Sequence, residues 1–208
     1  MGEELGHIAR PSVESFGEQR KLFVVPLVLQ GKDAPADYSE KFDLYWEQVK
    51  EQLTKLEEKT GPVHCIYHEA IVVGGEEGLR IMEKMNTTSC AIVKERCQKG
   101  ARLEATDDRE LAEESMDWER MMLGGFLSDK VARMVSQFYL EAARKRYEHM
   151  AKRIDETLGV GERAILFITE GHSLQFPKET QVFSVFPPAL DQIHKWFREM
   201  SAADSDKE

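Results

Sequence analysis

The chain has 208 residues, 41% hydrophobic and 32% charged, with a formal net charge of −10. That length suits one domain, or one domain with a large insertion, and buries enough surface to need neither disulfide nor metal for stability. The acidic balance argues against a dedicated nucleic-acid binder, because phosphate contacts require a basic face. Three cysteines, Cys65, Cys90 and Cys97, stand without CxxC spacing and read as reduced thiols of a cytoplasmic protein. The start, Met1-Gly2-Glu3-Glu4-Leu5, lacks the basic and apolar regions of a signal peptide, and Gly6 stands where a myristoylation motif needs Ser or Thr. No stretch approaches the ~18 uninterrupted apolar residues of a membrane span.

Residues 1–20 read as a loose arm and 201–208 as a disordered polar tail. The first element is Leu22–Leu29, apolar on both faces as a strand covered on both sides would be; Pro26 suggests an edge position or a bulge. Asp37 is spaced from Glu40 as a capping box. It opens a helix whose apolar positions Tyr38, Phe42, Tyr45, Val49, Leu53 and Leu56 fall on one stripe. Gly61-Pro62 stops that helix and a second strand, Val63–Tyr67, follows at once. Strand, helix and strand with short links predict a right-handed βαβ unit with parallel strands.

Gly74-Gly75 breaks the chain before a short helix from Glu76 to Met85. Asn86–Ser89 is a turn able to cap a further helix closed by Gly100, although the apolar run Cys90–Val93 is short enough to be strand instead. Thr106 or Asp107 starts a helix that ends near Leu123. After Gly124-Gly125, Ser128 caps a helix from about Asp129 to Leu158, with Val131, Val135, Phe138, Ala142, Tyr147, Met150 and Ile154 inward. The short link predicts an antiparallel hairpin. Acids over 107–120 and bases over 141–153 support that pairing, with Asp107, Asp108 and Glu110 expected near Arg144. The long helix beyond about Lys145 overhangs its partner and must pack on the α/β body or on another chain. Ala164–Thr169 is uniformly apolar and β-branched, the best candidate for a central strand. Gln181–Phe186 is a fourth strand, and Pro187-Pro188 opens the last helix.

The fold class expected is therefore α/β: a small, mostly parallel sheet of about four strands built from both ends of the chain (21–100 and 159–200), with a helical hairpin over 101–158 inserted in the middle. P-loop, GxGxxG, HExxH, GxSxG and paired CxxC motifs are all missing, so the sequence specifies no cofactor. In open α/β sheets ligands bind beyond the carboxyl ends of the strands. That rule selects His68 and Glu69 after the second strand, and Glu170 and His172 after the third. Two imidazoles and two carboxylates suit general acid–base catalysis, with His68 and His172 as candidate metal ligands. The plainer alternative is polar side chains where strands surface. His64 and Cys65 are neighbours on a strand and point to opposite faces, which argues against a Cys–His nucleophilic pair.

Three functional readings follow. The first is a binding or regulatory module that forms a homo-oligomer or holds a protein partner through 107–158, where methionines cluster. The second is a small-molecule enzyme, such as a metal-assisted hydrolase, with its site at the strand rim. The third is an RNA- or ribosome-associated protein using the basic stretch Arg144–Arg153, against which the overall acidity weighs.

Overall fold

The computed structural model describes residues 19–205; of the arm expected over 1–20, residues 1–18 lie outside them, as do the last three residues of the expected tail, and Arg20 belongs to the first strand instead. Among the described residues the elements run β1 (Arg20–Pro26), α1 (Ala36–Thr60), β2 (Cys65–His68), α2 (Gly75–Met85), α3 (Thr87–Gln98), β3 (Arg102–Leu103), α4 (Arg109–Leu123), α5 (Asp129–Thr157), β4 (Arg163–Ile168), β5 (Thr180–Ser184) and α6 (Pro188–Ser205). The strands form one five-stranded sheet in the order β3-β2-β4-β1-β5. Every pairing in it is parallel.

The order explains the layers. From β1 to β2 and on to β3 the chain moves one way along the sheet; from β3 to β4 and on to β5 it moves back. Right-handed crossovers require the two directions to use opposite faces. Helices α1, α2, α3 and α6 accordingly cover one face, where Phe23, Val25, Ile66, Ile165 and Phe167 meet Tyr45, Trp46, Met82, Val93 and Ile193. The carboxyl half of α5 covers the other, with Met150, Ile154 and Leu158 on Leu22, Val24, Tyr67, Leu166 and Ile168; Leu174 of the β4–β5 loop joins them. The alternation along each strand sorts side chains between these two cores. β4, predicted as the central strand, is central.

Several local expectations are corrected. Pro26 does not mark an edge: β1 lies between β4 and β5, and Pro26 ends it, beyond the last β5 pairing at Val24↔Ser184. The next donor on the β4 side is Leu27 N–H, 2.8 Å from the Ile168 carbonyl. Asp37 does not cap α1; the cap position is Pro35, which brings no side-chain hydrogen bond. Inside the first turn, Asp37 accepts from Trp196 Nε1 at 2.6 Å, tying α1 to α6. Residues 90–93 are helical, in α3, capped by the Asn86 side chain accepting from Thr88 and Ser89 N–H. The fifth strand, β3, contributes two residues, too few to show a period. Gly74 is needed where the chain passes β3, since a Cβ there would stand 2.6 Å from the Leu103 carbonyl oxygen. α4 begins at Arg109, with Asp108 as its cap, accepting from Leu111 N–H. α6 continues through Ser205.

The hairpin forms as expected. Helices α4 and α5 run antiparallel, with Trp118 and Phe138 stacked at 5.0 Å and Ser136 Oγ 3.6 Å from Met122 Sδ. The overhang of α5 past Lys145 packs on the sheet. Arg144 is not the acid's partner, however; it pairs with Glu148 on its own helix, and Arg146 reaches Asp107 instead. Val131 and Phe138, expected inward, are exposed. None of the described helices is long and apolar enough to cross a membrane.

Candidate functional site

The carboxyl ends of β2, β3 and β4 bring together a buried ionic cluster. β2 ends at His68, and Glu69 follows on the α5 face of the sheet. Glu69 Oε2 accepts from Thr169 N–H at 2.7 Å, which ties the ends of β2 and β4. Its Oε1 stands 3.1 Å from Arg146 Nη1. Beyond β3, Asp107 is buried and accepts three hydrogen bonds from the same guanidinium, from Nε to Oδ1 at 3.2 Å and to Oδ2 at 2.9 Å, and from Nη2 to Oδ2 at 2.6 Å. Arg146 itself is buried, on the face of α5 turned to α4. Burial pulls its pKa down, and the carboxylates of Asp107 and Glu69 more than reverse that, so the value stands above its ordinary one. Asp107 also accepts from Ala70 N–H at 3.1 Å, and Ala70 has a φ of 67°. A non-glycine residue in the left-handed region is strained, and such strain persists only where the surroundings impose it. Thr106 completes the connection, its hydroxyl accepting from His68 N–H at 3.1 Å.

The four residues selected from the sequence all lie on this carboxyl edge, but the sheet divides them. Glu69 and His172 are on the α5 side. His172 lies edge-on to Tyr147 and Phe176, with its Nδ1 buried and without a hydrogen-bond partner among the described residues. Burial lowers its pKa, and the Glu69 charge opposes that shift, which marks their nearness. His68 is on the other side, its ring 5.8 Å from Phe167 and its Nδ1 donating to the Glu69 backbone carbonyl. Burial holds it below its usual pKa. Glu170 is on the surface, 2.6 Å from His194 of α6. Among the described residues no group of three or more His, Cys, Asp or Glu side chains could hold a metal ion. In the Glu69–Asp107 pair, the cation is already supplied by Arg146.

Asp107, Thr106 and Arg146 are site residues that sequence reasoning missed. The signal was helical phase. Arg144 and Arg146 are two residues apart, hence about 200° around a helix. Only Arg146 shares the face of Val135 and Ala142, both buried in the hairpin.

The basic stretch on α5 is neutralised in place. Arg144 pairs with Glu148, Lys145 with Glu141, Arg146 with Asp107 and Glu69, and Lys152 and Arg153 with Glu156. Burial is the main cause of a Cys65 thiol pKa pushed up to about 12, the direction opposite to activation, although Arg102 Nη2 stands 2.9 Å from its sulfur. Its neighbour His64 uses Nδ1 to accept from Arg163 N–H at 3.2 Å.

A second feature is apolar surface on the distal hairpin. Met121, Val131, Met134 and Phe138 are between 43% and 53% exposed, and Leu127 at the turn is fully so. At 100° per residue, Val131, Met134 and Phe138 lie on the side of α5 opposite the Met150–Ile154 side that meets the sheet. Trp118 stacks on Phe138, which brings α4 onto the same side. The chain's own α/β body therefore cannot cover this face. Compared with family models, curated proteins and solved structures, the chain matches none.

Proposed function

We propose that the protein is a binding module that holds a protein partner on the distal hairpin. One observation carries this reading: Met121, Val131, Met134 and Phe138 form an apolar face turned away from the sheet. Soluble domains rarely leave contiguous apolar surface of this kind unless something docks on it. Methionine suits the role, because its flexible thioether fits irregular partner surfaces. The reading includes a reducing compartment such as the cytoplasm, supported by three free thiols, two of them buried. Oxidative footprinting of the full chain tests it. Met121 and Met134 should be protected in an extract of the native host relative to dilute purified protein. Equal oxidation in both would refute docking at this face.

A second reading, a small-molecule site on the α5 side of the rim, is favoured by the unpartnered Nδ1 of His172 close to Glu69. A ligand there would take a hydrogen bond from or to that nitrogen. Screening by imidazole NMR shifts, with His172→Ala as control, is the test: a library that leaves the His172 signals unmoved removes this reading.

A further inference from the structure

We infer that the occupant of the hairpin face is a second copy of this chain, the two hairpins closing into a four-helix bundle about a two-fold axis parallel to their length. This deepens the docking reading above and rests on it. Area is the first argument. The 15 residues of α4 span about 22 Å, and two adjacent helices about 20 Å. In plan that face is about 440 Å², and the relief of its side chains raises the accessible area toward the ~800 Å² each partner gives to a standard interface.

Charge decides the orientation. α4 holds five acids, Glu110, Glu113, Glu114, Asp117 and Glu119, against Arg109 and Arg120. A two-fold axis across the hairpins would set α4 on α4 and oppose those acids. An axis along the hairpins sets α4 of one copy on α5 of the other, antiparallel and level in height. Every neighbouring pair in the bundle is then antiparallel, the arrangement that short-looped bundles adopt. By helical phase Glu114 stands on the stripe of Trp118, one turn before it, and Lys145 on the stripe of Phe138, two turns after it, so both close the apolar face at its body end; within one chain they are close enough for the Glu114 charge to act on Lys145. In the bundle each Glu114 faces the other copy's Lys145. Such exposed pairs select register and partner more than they add affinity. The sheet side of α5 points away from the interface, so the two α/β bodies stand on the outer flanks without collision.

Light scattering on the full chain should give a particle of about 48 kDa, twice 23.9 kDa. Phe138→Glu should give a monomer with unchanged circular dichroism. Glu114→Lys and Lys145→Glu should each weaken self-association about fivefold, since each sets two like-charged contacts across the axis. Mixed together, the two variants should form a heterodimer more readily than either pairs with itself, because both cross-copy contacts become complementary only in the mixture. A monomer at 100 μM, or a mixture no tighter than its components, overturns the inference. If the extract footprint still shows protection in that case, docking stands and the partner is another protein; if protection is lost as well, both fall.

Discussion

Arg146 pairs with two carboxylates, Glu69 and Asp107, for which no other Lys or Arg ion pair stands among the described residues. Replacing one member of a buried ion pair leaves an uncompensated charge, at a cost of roughly 3–5 kcal/mol. Arg146→Met should therefore lower stability by about that amount in urea titration. Adding Glu69→Gln and Asp107→Asn should recover most of the loss, because neutral amides need no counter-ion. His68 gives a pH dependence of definite sign. Its folded pKa lies below its unfolded value of about 6.5. Above that value the ring is neutral in both states and contributes nothing. Below it the unfolded chain binds a proton that the folded chain refuses, so stability falls with falling pH, by up to about 1.4 kcal/mol per pH unit. The urea midpoint should drop between pH 7 and 5.5, and His68→Gln should show a shallower drop.

The hairpin elements bury little away from the body. In α4 the buried residues are Ala112 and Ser115, and the distal half of α5 contributes Val135 and Ala142. Local opening free energy follows burial. Amides over 116–137 should exchange hydrogen well before those of β4, with the difference reduced at concentrations where the face is covered. The hairpin was legible from the sequence because its period is long and its glycines mark the turn. Its interior was not, because a stripe of apolar residues says which side of a helix is sticky and not which neighbour it meets: Val131 and Phe138 follow the core pattern and face outward. β3 was illegible for the opposite reason. A strand of two residues, Arg102 and Leu103, is defined by its pairing with Cys65 and Ile66 and carries no pattern of its own. At the rim, His68, Glu69, Glu170 and His172 were correctly set at strand ends. Their division between two faces depended on where α5 and α6 pack, which spacing along the chain does not encode.

The whole molecule is organised by β4, which lies between β2 and β1 and holds them apart. The amino-terminal βαβ segment is thus not a unit: β1 and β2 share no hydrogen bonds and meet through a strand nearly a hundred residues later. A fragment of residues 19–100 should lack cooperative unfolding by circular dichroism, whereas a variant in which a short loop replaces 112–142 should retain it, since the sheet and its two cores survive. Cooperative melting of the fragment would show that α1 and its strands are self-sufficient.

That late keystone has a consequence on the ribosome. Translation delivers β1, α1, β2 and the greasy undersides of three helices long before Arg163–Ile168 exists to receive them. Nascent chain up to that point presents unpaired backbone edges to its surroundings, the condition under which intermediates misassociate. Pausing or chaperone capture across the codons for α4 and α5 is where the yield of this protein would be decided.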